Sequence, residues 1–218
     1  IENAIKLVNG DKPCAVNFIL KGDNKALNST VIGTTKSHNE NKSKVVTSTG
    51  LNGEYTFANF VVGDCNRFAH ASAVSVSQKP GQKQRNPFFL WGNSGLGKTH
   101  LMKAIGNAIL ENNPDKKVIY TTCEAFTNAF VNTIGKQNYT EFRNKYRSVD
   151  VLLIDDIQFL IGKEGVQTEF FNTFEALIES GKQIVITCDK APSNLTQLDN
   201  RLTSRFQDGI MFDVQPPD

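Results

Sequence analysis

The stretch Gly92-Asn93-Ser94-Gly95-Leu96-Gly97-Lys98-Thr99 fits the pattern G-x-x-x-x-G-K-[ST], and those residue types in that order suit one chemistry, the grip of a polyphosphate. Glycines let the backbone turn sharply and aim successive N–H groups at the anion, whose charge is also favoured at the start of the helix that follows. Lys98 is placed to reach the β- and γ-phosphates. The Thr99 hydroxyl supplies an oxygen for Mg²⁺, which prefers oxygen ligands and is usually shared with the phosphates. A second polar group follows Val151-Leu152-Leu153-Ile154: the carboxylates Asp155 and Asp156, a Walker B pattern. Asp155 is expected in the Mg²⁺ shell through water, and Asp156 is expected to polarise or position an attacking water. A third apolar run, Gln183-Ile184-Val185-Ile186-Thr187-Cys188, ends at Asp189, and Arg201 and Arg205 follow one helical turn apart.

These groups need elements to hold them. Pro87-Phe88-Phe89-Leu90-Trp91 reads as a buried strand leading into the glycine loop, and the loop opens into a helix running to about Asn112. Further strands are expected at 117–122, 151–156, 183–189 and 210–214. Helices are expected at 65–77, capped by Asp64, and at 124–134, 139–147, 166–180 and 198–206. Phe170, Phe171, Phe174, Leu177 and Ile178 recur at helical spacing and read as core rather than as a base-stacking platform. Alternating strands and helices predict an α/β P-loop NTPase fold, a five-stranded parallel sheet sandwiched by helices with right-handed crossovers. Ligands bind outside the carboxyl ends of such strands, which is where Asp155, Asp156 and Asp189 fall.

Composition narrows the rest. The chain has 218 residues, 39% hydrophobic and 21% charged, with a net charge of +2, so overall charge neither demands nor excludes a nucleic-acid partner. Cys14, Cys65, Cys123 and Cys188 form no C-x-x-C pair and have only three histidines for company; they read as reduced, mostly buried thiols in a cytoplasmic protein. Neither a signal peptide nor an apolar run long enough for a membrane span is visible. Residues 1–20 read as a helix end followed by a strand, too short for a core of their own. From Lys21 to Gly50 there is no Phe, Tyr or Trp, and five Lys stand against Asp23 and Glu40, the composition of a flexible linker. We place that linker at 21–53 and a folded domain at 54–218. A chain that starts at Ile1 and stops at Asp218 is expected to be a piece of something longer.

Tyr55-Thr56-Phe57 with Asn59-Phe60-Val61-Val62-Gly63, Phe68-Ala69-His70-Ala71, Gly95-Leu96-Gly97-Lys98-Thr99-His100-Leu101, Leu153-Ile154-Asp155-Asp156-Ile157-Gln158-Phe159, Glu169-Phe170-Phe171 and Arg201-Leu202-Thr203-Ser204-Arg205-Phe206 together resemble the AAA+ domain of the DnaA family of bacterial replication initiators. Residues 1–20 are similar to the end of that family's N-terminal interaction domain, and the match over 54–218 stops short of its lid and its DNA-binding domain.

The resemblance implies ATP and Mg²⁺ as cofactors and a weak ATPase used as a switch. Val62 and Gly63 would line the adenine, Asp189 would read the γ-phosphate, and Arg205 would act in trans on a neighbouring subunit's nucleotide. The plainer reading of Arg205 is a surface arginine pairing with Asp199 or Asp208. The helical insert at 124–147 would be the family's steric wedge, with Val131 among its contacts to single-stranded DNA. Two positions depart from the pattern. Asn93 replaces a usual glycine, a change Asn can bear because it tolerates positive φ better than most residues; Gly165 replaces an arginine that often touches single-stranded DNA, with Lys163 nearby. Implied partners are further copies of the chain in an ATP-dependent oligomer or filament, origin DNA, a replicative helicase or loader, and acidic phospholipids. Origin DNA would be met double-stranded by the missing C-terminal domain and single-stranded by this one. A helicase loader or regulatory paralogue built on the same ATPase core is the alternative reading.

Overall fold

In the computed structural model residues 50–136 and 138–216 are described; the segments read above as 1–20 and most of 21–53 lie outside them. The described chain takes hold just before residue 54. Leu51 packs on the core, and Asn107 Nδ2 donates to Asn52 O at 2.8 Å and Tyr55 O at 2.7 Å.

Strands β1 (Phe88–Trp91), β2 (Val118–Thr122), β3 (Val151–Asp155), β4 (Gln183–Cys188) and β5 (Ile210–Asp213) form one parallel sheet in the order β2-β3-β4-β1-β5. The helices are α1 (Arg67–Gln78), α2 (Lys98–Asn112), α3 (Cys123–Lys136), α4 (Tyr139–Arg147), α5 (Glu164–Glu179) and α6 (Asn200–Gln207). Every residue of β3 and β4 is buried, as expected of parallel strands covered on both faces. Alternation along the strands sorts the core into two layers. Val151, Leu153, Phe88, Leu90 and Val185 face α1 and α2. Leu152, Ile154, Phe89, Ile184 and Ile186 face an aromatic layer from α3 to α6. In that layer Phe126 meets Phe142, Tyr146 and Phe170 at centroid distances of 5.1, 4.9 and 5.5 Å, and Phe174 meets Phe206 at 5.9 Å. Phe170, Phe174 and Leu177 are core, as their spacing predicts; Phe171 is half-buried beneath the Arg201 guanidinium, 4.7 Å from its ring centroid.

Several boundaries differ from the expected ones for local reasons. Helix α1 starts at Arg67 after Asn66, not at Cys65 after Asp64. Asn66 holds the preceding turn, accepting from Gly63 N at 2.9 Å and donating to Val61 O at 3.0 Å, while Asp64 pairs with Arg67 at 3.0 Å. Helix α6 starts at Asn200 because Asp199 caps it through Arg201 N at 2.9 Å. Cys123 and Cys188 are buried, which pushes their thiols up to about 12 and about 11; Cys65 is half-buried and all three are free thiols, while Cys14 lies outside the described residues.

At the amino ends of the central strands Asp150 gathers three donors, Lys117 N at 3.0 Å, Lys182 Nζ at 2.9 Å and Lys116 Nζ at 3.4 Å. Burial alone would raise this carboxyl, but the Lys117 N–H and the two ammonium groups outweigh it and hold it at about 2. A carboxyl lowered by folding contributes stability above its unfolded value, about 4, and loses that contribution as the pH falls toward its folded one. Asp150→Asn is therefore expected to melt a few degrees below wild type at neutral pH, with the gap closing between about pH 4 and pH 2; a gap independent of pH in thermal melts would contradict this.

Candidate phosphate and metal site

The glycine loop leaves β1 beside the run-out of β5, where Val214 N donates to Trp91 O at 2.8 Å. Gly92 is buried at φ 143°, and a Cβ there would lie 2.4 Å from Val214 O. Gly95 and Gly97 take φ of 83° and 89°, and Gly97 is the left-handed N-cap of α2 with the Phe60 ring where a Cβ would go. Only glycines of this loop have positive φ, so the tolerance expected of Asn93 is not used; Asn93, Ser94 and Gly95 stand exposed and Leu96 is half-buried. Lys98 opens α2, 8% exposed, and its ammonium donates to Gly92 O and Asn93 O, each at 2.7 Å.

Opposite the loop, at the carboxyl end of β3, Asp155 is 3% exposed. Three hydroxyls from three elements converge on it: Thr99 Oγ1 from α2 at 2.9 and 3.1 Å to its two oxygens, Tyr120 OH from β2 at 2.9 Å, and Thr187 Oγ1 from β4. A buried carboxylate needs such donors. Burial, and then the neighbouring Asp155 charge, pushes the Tyr120 phenol well above its ordinary value and keeps it a donor. Lys103 Nζ lies 4.3 Å from the Tyr120 ring centroid and 4.8 Å from that of Tyr55, so the segment entering the domain and β2 share one cation.

Asp156 is half-buried at φ 61°, alone among the described non-glycine residues in having positive φ. Its N–H donates to Thr187 Oγ1 at 2.9 Å and its Oδ1 accepts from Gln158 Nε2 at 3.1 Å. Gln158 Oε1 in turn accepts from Asp189 N at 3.3 Å. The three residues expected at the strand ends are thus brought into one network with Thr99: Asp155 and Asp156 through their carboxylates and Asp189 through its backbone N–H. The hydroxyls of Tyr120 and Thr187 and the amide of Gln158 complete it, and motif spacing did not reveal them; the one signal for Thr187 was a hydroxyl closing an apolar strand.

The segment expected beside a base, Val61-Val62-Gly63, flanks the loop. Val61 and Val62 are 85% and 49% exposed, and the turn is fixed from beneath by Asn66 and by an aromatic cluster. Phe60 stacks on His70 at 5.7 Å and 11° and meets His100 at 5.3 Å, while His100 Nε2 lies 2.8 Å from Thr56 O.

The remaining predicted residues sit elsewhere. Arg205 is 47% exposed and paired on its own chain with Glu175 at 2.9 Å and Asp208 at 3.1 Å; Asp199 pairs with Arg201 instead. Val131 is 53% exposed on α3, beside the exposed Ile134. Lys163 is the half-buried N-cap of α5, and around Gly165, two residues on, a Cβ would meet nothing within 4 Å.

A parallel sheet of this strand order, with a glycine loop after β1, a carboxylate pair after β3 and a polar end to β4, defines a P-loop NTPase domain of the AAA+ class. The family model for the bacterial DnaA ATPase domain matches residues 51–213, and the chain belongs to the DnaA family. Domain III of the Thermotoga maritima replication initiation protein DnaA is 53% identical over 77% of this chain and 70% of that one, with a TM-score of 0.75. A replication initiator DnaA bound to AMPPCP and single-stranded DNA is 42% identical over 76% of this chain, with a TM-score of 0.73; this chain covers 51% of it, about half the length of such a protein. The DnaC helicase loader is 14% identical with a TM-score of 0.65, a likeness of fold alone.

The loop geometry predicts a contrast between two glycines. Gly92→Ala should destabilise by about 2 kcal/mol or more through the Val214 O clash and weaken nucleotide binding, whereas Gly165→Ala, in open space, should melt at or slightly above wild type. Equal melting temperatures for the two variants would contradict the packing described.

Proposed function

We propose that this domain binds and slowly hydrolyses ATP with Mg²⁺, and that within a longer DnaA protein its nucleotide state decides whether copies assemble on origin DNA and separate its strands. The observation that carries this reading is the Thr99 hydroxyl held 2.9 Å from the Asp155 carboxylate at the first turn of α2. The donor set suits Mg²⁺, a hydroxyl and a carboxylate with room for waters and phosphate oxygens. When bound there, Mg²⁺ would neutralise charge on the β- and γ-phosphates.

The chain's own residues take the other roles. The N–H groups from Gly92 to Lys98 and the positive end of α2 bind the phosphates. The Lys98 ammonium, now on two loop carbonyls, exchanges them for phosphate oxygens. Val62 and Gly63 contact the base. Asp155 anchors the metal shell, Asp156 orients and polarises the water, and Asp189 senses the γ-phosphate from the end of β4. Arg205 serves a neighbouring subunit after releasing Glu175 and Asp208. Exposed pairs of this kind are worth about 0–1 kcal/mol each, a small barrier to exchange. Val131 and Lys163 face single-stranded DNA, a role supported by the complex of a DnaA relative with such DNA. A replicative helicase or its loader, double-stranded origin DNA met through a further domain, and acidic phospholipids complete the set of partners we carry over from the family. The setting is the cytoplasm, and no described helix is long and apolar enough to cross a membrane.

Two predictions separate the roles. Asp155→Asn should weaken Mg²⁺-dependent ATP binding, while Asp156→Asn should leave binding intact and depress hydrolysis at least tenfold, because only the transition state needs the polarised water. Equal loss of binding in titration calorimetry would refute that division. In a full-length protein, Arg205→Ala should bind ATP almost normally as a monomer yet fail to form ATP-dependent assemblies. A tenfold loss of monomer affinity, about 1.4 kcal/mol, with assembly retained at saturation would refute the action in trans.

A further inference from the structure

We infer that Gln158 is a positioning residue for hydrolysis: its side-chain amide holds the Asp156 carboxylate in register with the backbone of Asp189. The inference rests on the assignment of Asp156 to the water. Backbone pairing between β3 and β4 runs from Val151↔Gln183 to Ile154↔Ile186 and goes no further. Beyond that point side chains alone tie the two strand ends together. Thr187 Oγ1 donates to Asp155 and accepts from Asp156 N, and Gln158 spans the final gap, its Nε2 on Asp156 Oδ1 at 3.1 Å and its Oε1 on Asp189 N at 3.3 Å.

Two features make this amide more than a chance contact. Asp156 sits in the left-handed region at φ 61° and ψ 55° as N-cap of the 3-10 turn Ile157–Leu160, and its side chain makes no cap hydrogen bond. The short carboxylate stem therefore takes its direction from whatever donates to it, and among the described residues that donor is Gln158. The amide itself is oriented without ambiguity, because one end faces an acceptor-only carboxylate and the other an N–H donor; a flipped amide would lose both bonds. Ile157 next to it is buried, so the turn that carries Gln158 is anchored in the core while Gln158 is half-buried at the site. A shift of Asp189 toward or away from a γ-phosphate thus reaches the Asp156 carboxylate through the Gln158 amide. Gln158 touches no reacting atom in this account; it acts through Asp156.

The test is single-turnover ATP hydrolysis, with ATP affinity and thermal melting, on wild type, Gln158→Leu, Gln158→Glu, Asp156→Asn and the double variant Asp156→Asn/Gln158→Leu. Gln158→Leu removes both hydrogen bonds at similar size, and Gln158→Glu keeps the acceptor for Asp189 N but loses the donor to Asp156. Both should cut the saturated hydrolysis rate by tenfold or more. Gln158→Leu should bind ATP within threefold of wild type and melt within a degree or two, and the double variant should hydrolyse no more slowly than Asp156→Asn alone. Wild-type turnover in either Gln158 variant, multiplicative losses in the double variant, or loss of affinity to match the loss of rate would overturn the inference. Failure of the parent reading is distinguishable: there Asp156→Asn itself would hydrolyse like wild type, or wild type would bind ATP and not turn it over, and the role of Gln158 would fall with it.

Discussion

A buried negative charge at the end of the central strand constrains everything around it. Asp155 is 3% exposed, and a carboxylate so placed is tolerable only while hydrogen-bond donors surround it. The fold meets that demand with hydroxyls from three elements, α2, β2 and β4. Helix α2, the edge strand β2 and strand β4 are thereby drawn to one point. The parallel sheet makes this possible, since all five strands deliver their carboxyl ends to the same edge. At the opposite edge Asp150 and its lysines do the converse, fixing the amino ends of β2, β3 and β4.

How much of this was legible beforehand follows from where the information sits along the chain. The glycine loop and the carboxylate pair are contiguous, so their residue types and spacing identify them without a fold. The strands carry their own signal, as a run such as Val151 to Ile154 has a length and composition suited only to burial in a sheet. What eluded spacing is tertiary. Tyr120 and Thr187 lie 35 and 32 residues from Asp155, and nothing local marks them as its partners. Asn66 looked like part of a helix and instead braces the turn at Val61 to Gly63. Asn93 looked like a left-handed position because glycine is usual there, yet the loop takes its positive φ at Gly92, Gly95 and Gly97.

The outward-facing residues have a different logic. Arg205, Val131 and Lys163 lie away from the Asp155 network, and on this chain Arg205 is engaged with its own neighbours. Val131 and Ile134 on one helix leave about half of their apolar surface uncovered in a single copy. Resemblance rather than geometry nominated Arg205, Val131 and Lys163, and the roles we propose for them would be exercised in an assembled state. The hydrogen-bond network around Asp155, by contrast, lies within one chain, so the nucleotide binding we propose can be asked of a single copy.

The most direct measurement of that central claim is ATP affinity of the chain with and without Mg²⁺, for wild type and Lys98→Ala. The account predicts micromolar or tighter binding that strengthens with Mg²⁺ and is abolished by the substitution. Unchanged affinity in Lys98→Ala would contradict it.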